Sequence, residues 1–313
     1  MKRLKYLLIV LVGLMITGCH SKNNVEIEDT SVMTTQENIY EEKEDENSSD
    51  SANSIDNTID NTELETHSNE SQSDFQIEEN IFDKDVSHFF TNYQEGSFVL
   101  KYADTNSGIV YNEPLTEIQR SPLSTFKVLS SLIILEEQLV SDINQVINWD
   151  QTVYQVADWN GDQTLSTAFK YSVVWVYERL LAKLDKNTMA SYVEEANYGN
   201  KDISAEGDFW LDSSLKISLK EQVLFLENLY YNRLDFNEDN INTVKEMMLT
   251  EETENYKIYG KTGSDADGAK LYVGFIEAQG GVYFFGTYVK EENASYNVAK
   301  DITYKIADEL FGQ

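Results

Sequence analysis

The chain has 313 residues, of which 55 are acidic and 24 are basic, and it contains three histidines and one cysteine. One cysteine excludes a disulfide within the chain, and so few histidines and cysteines do not support a zinc site of about four such ligands. The formal charge of −31 argues against a protein that binds nucleic-acid phosphates. A Ser-His-Asp mechanism is disfavoured too, because only His88 lies in the part of the chain expected to fold.

Residues 1–19 predict an export signal. Three positive charges among the first five residues precede an apolar run at 7–16, which is too short for a comfortable transmembrane helix. Small residues before Cys19 resemble a bacterial lipoprotein cleavage box, which implies that Cys19 is diacylated and becomes the first mature residue; two acyl chains are enough for stable anchoring. We therefore expect an exported lipoprotein on the outer face of the cytoplasmic membrane, with part of it released. The alternative is a plain secretory signal with an incidental cysteine.

Residues 20–80 predict a disordered acidic linker. This segment has 18 acidic residues against two lysines, a net charge of −16, and no sustained apolar period. Such a composition cannot bury enough surface to offset the entropy of ordering. We interpret it as a solvated spacer between the membrane and a folded domain over 81–313.

The folded part begins and ends with strand patterns and has helical patterns between them. Strands are predicted at 97–102 and 108–111, and again at 257–261, 270–278 and 282–289, with Gly280-Gly281 as a tight hairpin. Helices are predicted over 128–139, 174–184, 187–196, 218–231 and 240–248, and a last helix over 297–310. This order indicates an α+β fold, with one antiparallel sheet built from both chain ends, flanking helices and an inserted helical subdomain.

A Ser-Thr-Phe-Lys motif at 124–127 opens the first long predicted helix. The spacing places Ser124 and Lys127 on one helix face, and the helix N-terminus favours developing negative charge. Apolar neighbours are expected to desolvate Lys127, which lowers a lysine pKa and makes the amine a base. The motif alone is weak, because Ser213 and Lys216 repeat its spacing in what we interpret as a surface copy. Taken alone, Ser124 is better explained as a helix cap.

Two further elements strengthen the case for a site. Lys261-Thr262-Gly263 ends a predicted strand, where a glycine lets a substrate approach the strand edge closely. Ser172-Val173-Val174 lies between two helical segments, and its alternative explanation is a simple helix junction.

Taken in order, Ser-x-x-Lys, Ser-x-x and Lys-Thr-Gly resemble the motifs of the penicillin-recognising serine enzymes. The valines after Ser172 narrow the resemblance to the class D, oxacillinase-type serine β-lactamases, and it extends from about Gly96 to the C-terminus. It also implies the β-lactamase/transpeptidase-like fold. Further stretches that match this class are 120–122, 198–200, 209–211, 215–218, 221–222 and 272–277.

The resemblance implies a reaction, hydrolysis of β-lactam antibiotics, and hence a role in antibiotic resistance. Ser124 would attack the β-lactam carbonyl and form an acyl-enzyme. Lys127 would carry a carbamate derived from carbon dioxide, which acts as general base for acylation and for the deacylating water; no other cofactor and no metal is implied. Ser172 would relay a proton to the leaving nitrogen, and the indole N–H of Trp210 would donate to the carbamate.

The resemblance also assigns residues around the substrate. Lys261 and Thr262 would hold its carboxylate, and the backbone N–H groups of Ser124 and Ser264 would form the oxyanion hole. In this class two apolar residues control the access of water to the lysine, and the resemblance assigns this role to Val174 and Leu211.

One position departs from the class. Class D enzymes usually place an arginine at the start of the C-terminal helix, where it pairs with the substrate carboxylate. The corresponding position falls near Ala299, and no arginine occurs after Arg233. Lys300 is a candidate substitute, although a lysine cannot make the bidentate contact of a guanidinium.

Two alternative functions stay open. A β-lactam receptor carries a very similar domain that acylates without turnover, but such sensors are fused to several membrane helices and a metalloprotease, and this chain has no His-Glu-x-x-His. A cell-wall peptidase inhibited by penicillin is the other, against which the Ser-x-Val and Phe-Trp elements argue. The substrate spectrum and the oligomeric state do not follow from the sequence.

Overall fold

The computed structural model describes residues 77, 79–80, 82–103, 105, 107–211 and 213–312. The predicted signal, the lipidation site at Cys19 and nearly all of the predicted linker lie outside these residues. Within the described part of the chain, no helix has the length and apolarity needed to cross a bilayer.

A six-stranded antiparallel sheet forms the centre of the described chain, in the order β2-β1-β6-β5-β4-β3. Pairing of β1 with β6, with Phe98 opposite Thr287, joins the two chain ends, as the sequence predicted. Ala278 pairs with Gly281 across the β5–β6 turn, where Gly280 has a φ of +107° that favours glycine. The strands are β1 (Glu95–Tyr102), β2 (Gly108–Tyr111), β3 (Leu249–Glu252), β4 (Tyr256–Ser264), β5 (Ala269–Ala278) and β6 (Gly281–Lys290).

The helices that the sequence predicted are present, with ends that differ by a few residues. Local capping explains some of the starts: Ser218 and Glu221 form a reciprocal capping box at the start of α6, and Asp185 accepts backbone N–H groups at the start of α5. The helices are α1 (Glu113–Thr116), α2 (Lys127–Glu136), α3 (Leu165–Lys170), α4 (Val174–Leu181), α5 (Lys186–Glu195), α6 (Leu219–Tyr230), α7 (Glu238–Met247) and α8 (Val298–Phe311).

The sheet separates two apolar cores. On one face α8 packs against β5 and β6, with Ile302 and Ile306 in one cluster with Phe285. On the other face α6 covers the central strands, and its core continues into the helical subdomain, where α2 contacts α3, α4 and α7. The fold is therefore α+β, with the helical subdomain inserted between the strands of the two chain ends.

Candidate active site

Ser124 lies in a 3-10 turn, Leu123–Phe126, that continues directly into α2. The N-cap residues of this turn and of α2 are Pro122 and Phe126, so Ser124 is the N-cap of neither and the helix-cap explanation does not hold. The preceding residue, Leu123, has a φ of 56°, an unusual conformation for a branched residue, and its N–H donates to the carbonyl of Trp210 at 3.0 Å. The surrounding structure thus holds the turn in a strained shape, as is common at functional sites.

Lys127 is buried beside the serine. Its Nζ lies 3.2 Å from Ser124 Oγ and 4.8 Å from the ring centroid of Tyr177, and only 1% of the residue is exposed. Burial lowers the pKa of Lys127 to about 7, although the carboxyl groups of Glu178 and Asp208 act in the opposite direction. A large fraction of this side chain is therefore a neutral amine near pH 7, able to accept a proton from Ser124.

A second serine–lysine pair involves residues 89 positions apart. Lys261 Nζ donates to Ser172 Oγ at 2.5 Å and to the carbonyl of Thr262 at 3.1 Å. Burial, together with the positive charges of Lys127 and Lys300, holds the pKa of Lys261 well below its usual range. Strand β4, which carries Lys261, contacts the turn that carries Ser124, so both pairs lie in the same region of the molecule.

Ser172 occupies the junction between α3 and α4 with a φ of 56°. Its N–H closes a turn to the Phe169 carbonyl, and its hydroxyl accepts from Lys261. Like Leu123, this residue holds a left-handed conformation at a position that contributes to the site.

Strand β4 lies directly against the turn that carries Ser124. A Cβ atom added to Gly263 would come within 3.1 Å of the Pro122 carbonyl oxygen and 3.2 Å of Thr125 Cγ2. Glycine therefore allows the close approach of the strand to the protein's own turn; the close approach of a substrate at this strand edge stays a prediction. Beyond it, Ser264 ends the strand and is exposed.

The apolar residues assigned to the site flank Lys127 from two segments. Trp210 is 3% exposed, and its ring is stacked on Phe126 with centroids 5.7 Å apart. Val174 is the first residue of α4 and Leu211 follows Trp210; both are half-buried. These placements agree with a dry environment for the lysine.

Ser213 and Lys216, the second copy of the spacing, form no such pair: Lys216 Nζ donates to Ser121 Oγ at 2.8 Å. Ala299 lies in the first turn of α8 and is 1% exposed. The neighbouring Lys300 is half-buried, with its Nζ 5.1 Å from the ring centroid of Tyr304. Its charge contributes to lowering the pKa of Lys261.

Two residues near the site were missed by sequence reasoning. Glu178 and Asp208 both act electrostatically on Lys127. The available signal was spacing: Glu178 follows Val174 by one helical turn and so shares its face, and Asp208 precedes the Phe-Trp pair by one residue.

Residues 79–308 match the family described as the penicillin binding protein transpeptidase domain. The chain belongs to this family. Among curated proteins it is 33% identical over 235 residues to "Regulatory protein BlaR1" of Bacillus licheniformis, which covers 73% of this chain and 39% of BlaR1. It is 38% identical over 215 residues to "Probable beta-lactamase YbxI" of Bacillus subtilis, covering 68% of this chain and 79% of YbxI.

The solved structure of "Class D beta-lactamase BAT-2" is similar with a TM-score of 0.69 and 37% identity, covering 72% of this chain and 95% of that one. The fold is therefore that of the class D β-lactamases. Because the chain spans about two fifths of BlaR1, its likeness to that relative concerns one part of a longer protein. Members of this family thus include β-lactamases and a regulatory protein with the same domain.

Proposed function

We propose that this protein is a class D serine β-lactamase that hydrolyses β-lactam antibiotics through an acyl-enzyme on Ser124. The observation that carries the proposal is the buried Lys127, whose Nζ lies 3.2 Å from Ser124 Oγ and whose pKa is lowered to about 7. A lysine in this state activates a serine hydroxyl that cannot ionise by itself. The family supplies the expectation of a β-lactam substrate.

The proposed acylation has the following atom balance. Ser124 Oγ bonds to the β-lactam carbonyl carbon, its proton goes to the base at Lys127, and the C–N bond of the ring breaks. The leaving nitrogen takes a proton through Ser172, which Lys261 holds by a hydrogen bond. Water then cleaves the ester and returns Ser124. Lys261 and Thr262 bind the substrate carboxylate in this scheme, and the N–H groups of Ser124 and Ser264 stabilise the oxyanion.

A carbamate on Lys127 fits the residues present. Carbon dioxide adds only to a neutral amine, and burial keeps a large fraction of this amine neutral near pH 7. When bound, carbon dioxide supplies a carboxylate oxygen as general base, and Trp210, Val174 and Leu211 would provide its apolar surroundings; the stacking of Trp210 on Phe126, the residue before Lys127, supports this. Activity is accordingly expected to fall when bicarbonate is removed and at acid pH.

Mass spectrometry over time after mixing with benzylpenicillin tests the proposal. A transient adduct is expected in the wild-type protein, none in Ser124→Ala, and a wild-type time course in Ser213→Ala, whose motif copy lies outside the site. Normal hydrolysis by Ser124→Ala would exclude the mechanism.

The second candidate is a β-lactam receptor that acylates without efficient turnover. The similarity to BlaR1 favours it, because that regulatory protein has the same domain. The same experiment separates the two functions, since a receptor keeps its adduct and an enzyme releases it. Anchoring through Cys19 on the outer face of the cytoplasmic membrane completes the proposal, because an exported domain meets β-lactams outside the cell.

A further inference from the structure

The junction between α3 and α4, which carries Ser172, is bridged by one tryptophan of the loop before α3. The indole N–H of Trp159 donates to the carbonyl of Tyr171, the C-cap residue of α3, at 3.0 Å. The carbonyl of Trp159 accepts the indole N–H of Trp175, in the first turn of α4, at 3.1 Å. Trp159 is therefore hydrogen-bonded to both helices that flank Ser172.

The backbone around Ser172 has the shape of a Schellman motif, with serine at the position that usually holds glycine. The N–H of Ser172 donates to the Phe169 carbonyl at 3.3 Å, and the N–H of Val173 donates to the Ala168 carbonyl at 2.9 Å. Glycine adopts the left-handed conformation of this position without strain, whereas serine, with a φ of 56°, does not. The hydroxyl that accepts from Lys261 is the group that a glycine would lack.

The strain at Ser172 can be relieved by rotation of the peptide plane between Tyr171 and Ser172. This rotation takes the φ of Ser172 out of the left-handed region, but it breaks two hydrogen bonds. One is the long bond from Ser172 to Phe169, and the other is the bond from the Trp159 indole to the Tyr171 carbonyl. A relaxed junction no longer fixes the Ser172 hydroxyl, because the rotamer of a side chain depends on its backbone angles.

Contacts with α4 hold the loop that carries Trp159. Trp175 is buried, and the guanidinium of Arg179 lies 4.5 Å from its ring centroid. Arg179 also donates to the Asn148 carbonyl at 2.5 Å and forms an ion pair with Asp150 at 3.4 Å. The loop is therefore attached to α4 at both of its ends, which supports the position of the Trp159 indole.

We propose that Trp159 is a positioning residue, which holds Ser172 in the strained conformation that places its hydroxyl against Lys261. Trp159 acts through the backbone of Tyr171, and Trp175 supports it from α4. This inference rests on the proposed function, in which Ser172 passes a proton to the nitrogen that leaves when the β-lactam C–N bond breaks. Loss of the Trp159 hydrogen bond should therefore slow acylation and leave the later attack of water on the ester unchanged.

The rates of acylation and deacylation of Ser124 by benzylpenicillin are measured separately, by quenched-flow mass spectrometry of the full-length protein. Trp159→Phe is the test variant, because phenylalanine keeps an aromatic ring but has no N–H. Trp149→Phe is the matched control, since Trp149 lies in the same loop and donates its indole N–H at 2.9 Å to Thr152 within that loop. Trp175→Phe tests the same bridge from its other end.

Trp159→Phe is expected to acylate about tenfold more slowly at saturating benzylpenicillin, which corresponds to about 1.4 kcal/mol, with an unchanged rate of deacylation. Trp175→Phe is expected to show a smaller decrease of the same kind, and Trp149→Phe none. When Ser172→Ala is already present, Trp159→Phe is expected to have no further effect on acylation, because the hydroxyl that it positions is absent.

Hydrogen exchange, followed by NMR without a substrate, measures the junction itself. The Ser172 amide is expected to exchange about tenfold faster in Trp159→Phe than in the wild type and in Trp149→Phe, because the peptide plane opens more often once the indole N–H is gone.

An unchanged acylation rate in Trp159→Phe would overturn this inference. An equal decrease in the presence of Ser172→Ala would overturn it too, because Trp159 would then act on the substrate or on the fold. If Trp159→Phe does not fold, unchanged rates in Trp175→Phe would have the same consequence. A wild-type protein that forms no adduct would overturn the proposed function, whereas faster exchange at Ser172 in Trp159→Phe would still support the positioning role.

Discussion

Lys127→Met should make the protein more stable while it abolishes turnover. Burial lowers the pKa of Lys127 from 10.5 to about 7, and each pKa unit corresponds to about 1.4 kcal/mol. At pH 7 the folded state therefore carries a penalty of about 4 kcal/mol, of which the lost hydrogen bond to Ser124 offsets about 1 kcal/mol. Methionine has a similar length and no charge, so a gain of about 3 kcal/mol in the free energy of unfolding is expected.

The direction of this pKa shift also determines how the stability difference between the two proteins changes with pH. Because the pKa is lower in the folded state, the unfolded wild type binds more protons between pH 7 and 10.5, and its stability rises over that range. The advantage of Lys127→Met should be full below about pH 7 and disappear as the pH approaches 10.5. Urea unfolding in buffer freed of carbon dioxide measures it, since carbamate formation would stabilise the wild type by mass action.

Lys220→Met is the control. This lysine is also largely buried, with 7% of it exposed, but its hydrogen bonds to Glu117 and Glu113 and the charges of these two residues together outweigh its desolvation and raise its pKa, so its removal should lower stability. A Lys127→Met protein that is less stable than the wild type, or whose difference from it does not change with pH, would refute the assignment of a desolvated amine at this position.

Three further outcomes are expected. Lys300→Arg should lower KM for penicillins by about tenfold, worth about 1.4 kcal/mol, because a lysine cannot make the bidentate contact of a guanidinium, whereas Ala299 itself is buried; unchanged steady-state kinetics would argue against it. Lys101→Met should lower the free energy of unfolding by about 3 kcal/mol in urea titrations, because Lys101 and Glu227 form a buried ion pair at 2.8 Å. Adding Glu227→Leu should restore much of the lost stability, and losses that simply add in the double variant would contradict this expectation. Cys19→Ala should shift the protein from the membrane fraction to the medium with its activity in solution unchanged, whereas retention in the membrane fraction would exclude lipidation at Cys19.

Much of the fold could be predicted because its signals are local. Strand patterns at both ends and helical patterns between them were enough to predict one antiparallel sheet with an inserted helical subdomain, and the β1–β6 pairing confirms it. Edge strand β3 was missed, because Leu249–Glu252 has two glutamates and little apolar alternation. Pairing with β4 holds this segment in the sheet, although its own residues have little preference for a strand.

The candidate site likewise has features that local sequence predicts and features that only the packed structure reveals. Ser124 and Lys127 are three residues apart, so helical geometry alone places them together, as the 3.2 Å contact shows. Gly263 is a different case, because only the packed structure reveals that a side chain at this position would come into tight contact with the protein's own Pro122 carbonyl oxygen.

The sequence by itself determined which chemical groups are present, their order and the local elements that carry them. Only the tertiary structure decided that Lys261 meets Ser172 across 89 positions. It also decided the pKa of Lys127, whose first cause is burial by segments far away in the chain. The spacing of residues in the sequence determines which side chains share one face of a helix. Desolvation and the charges of other residues shift a pKa only after segments that are distant in the chain have packed together.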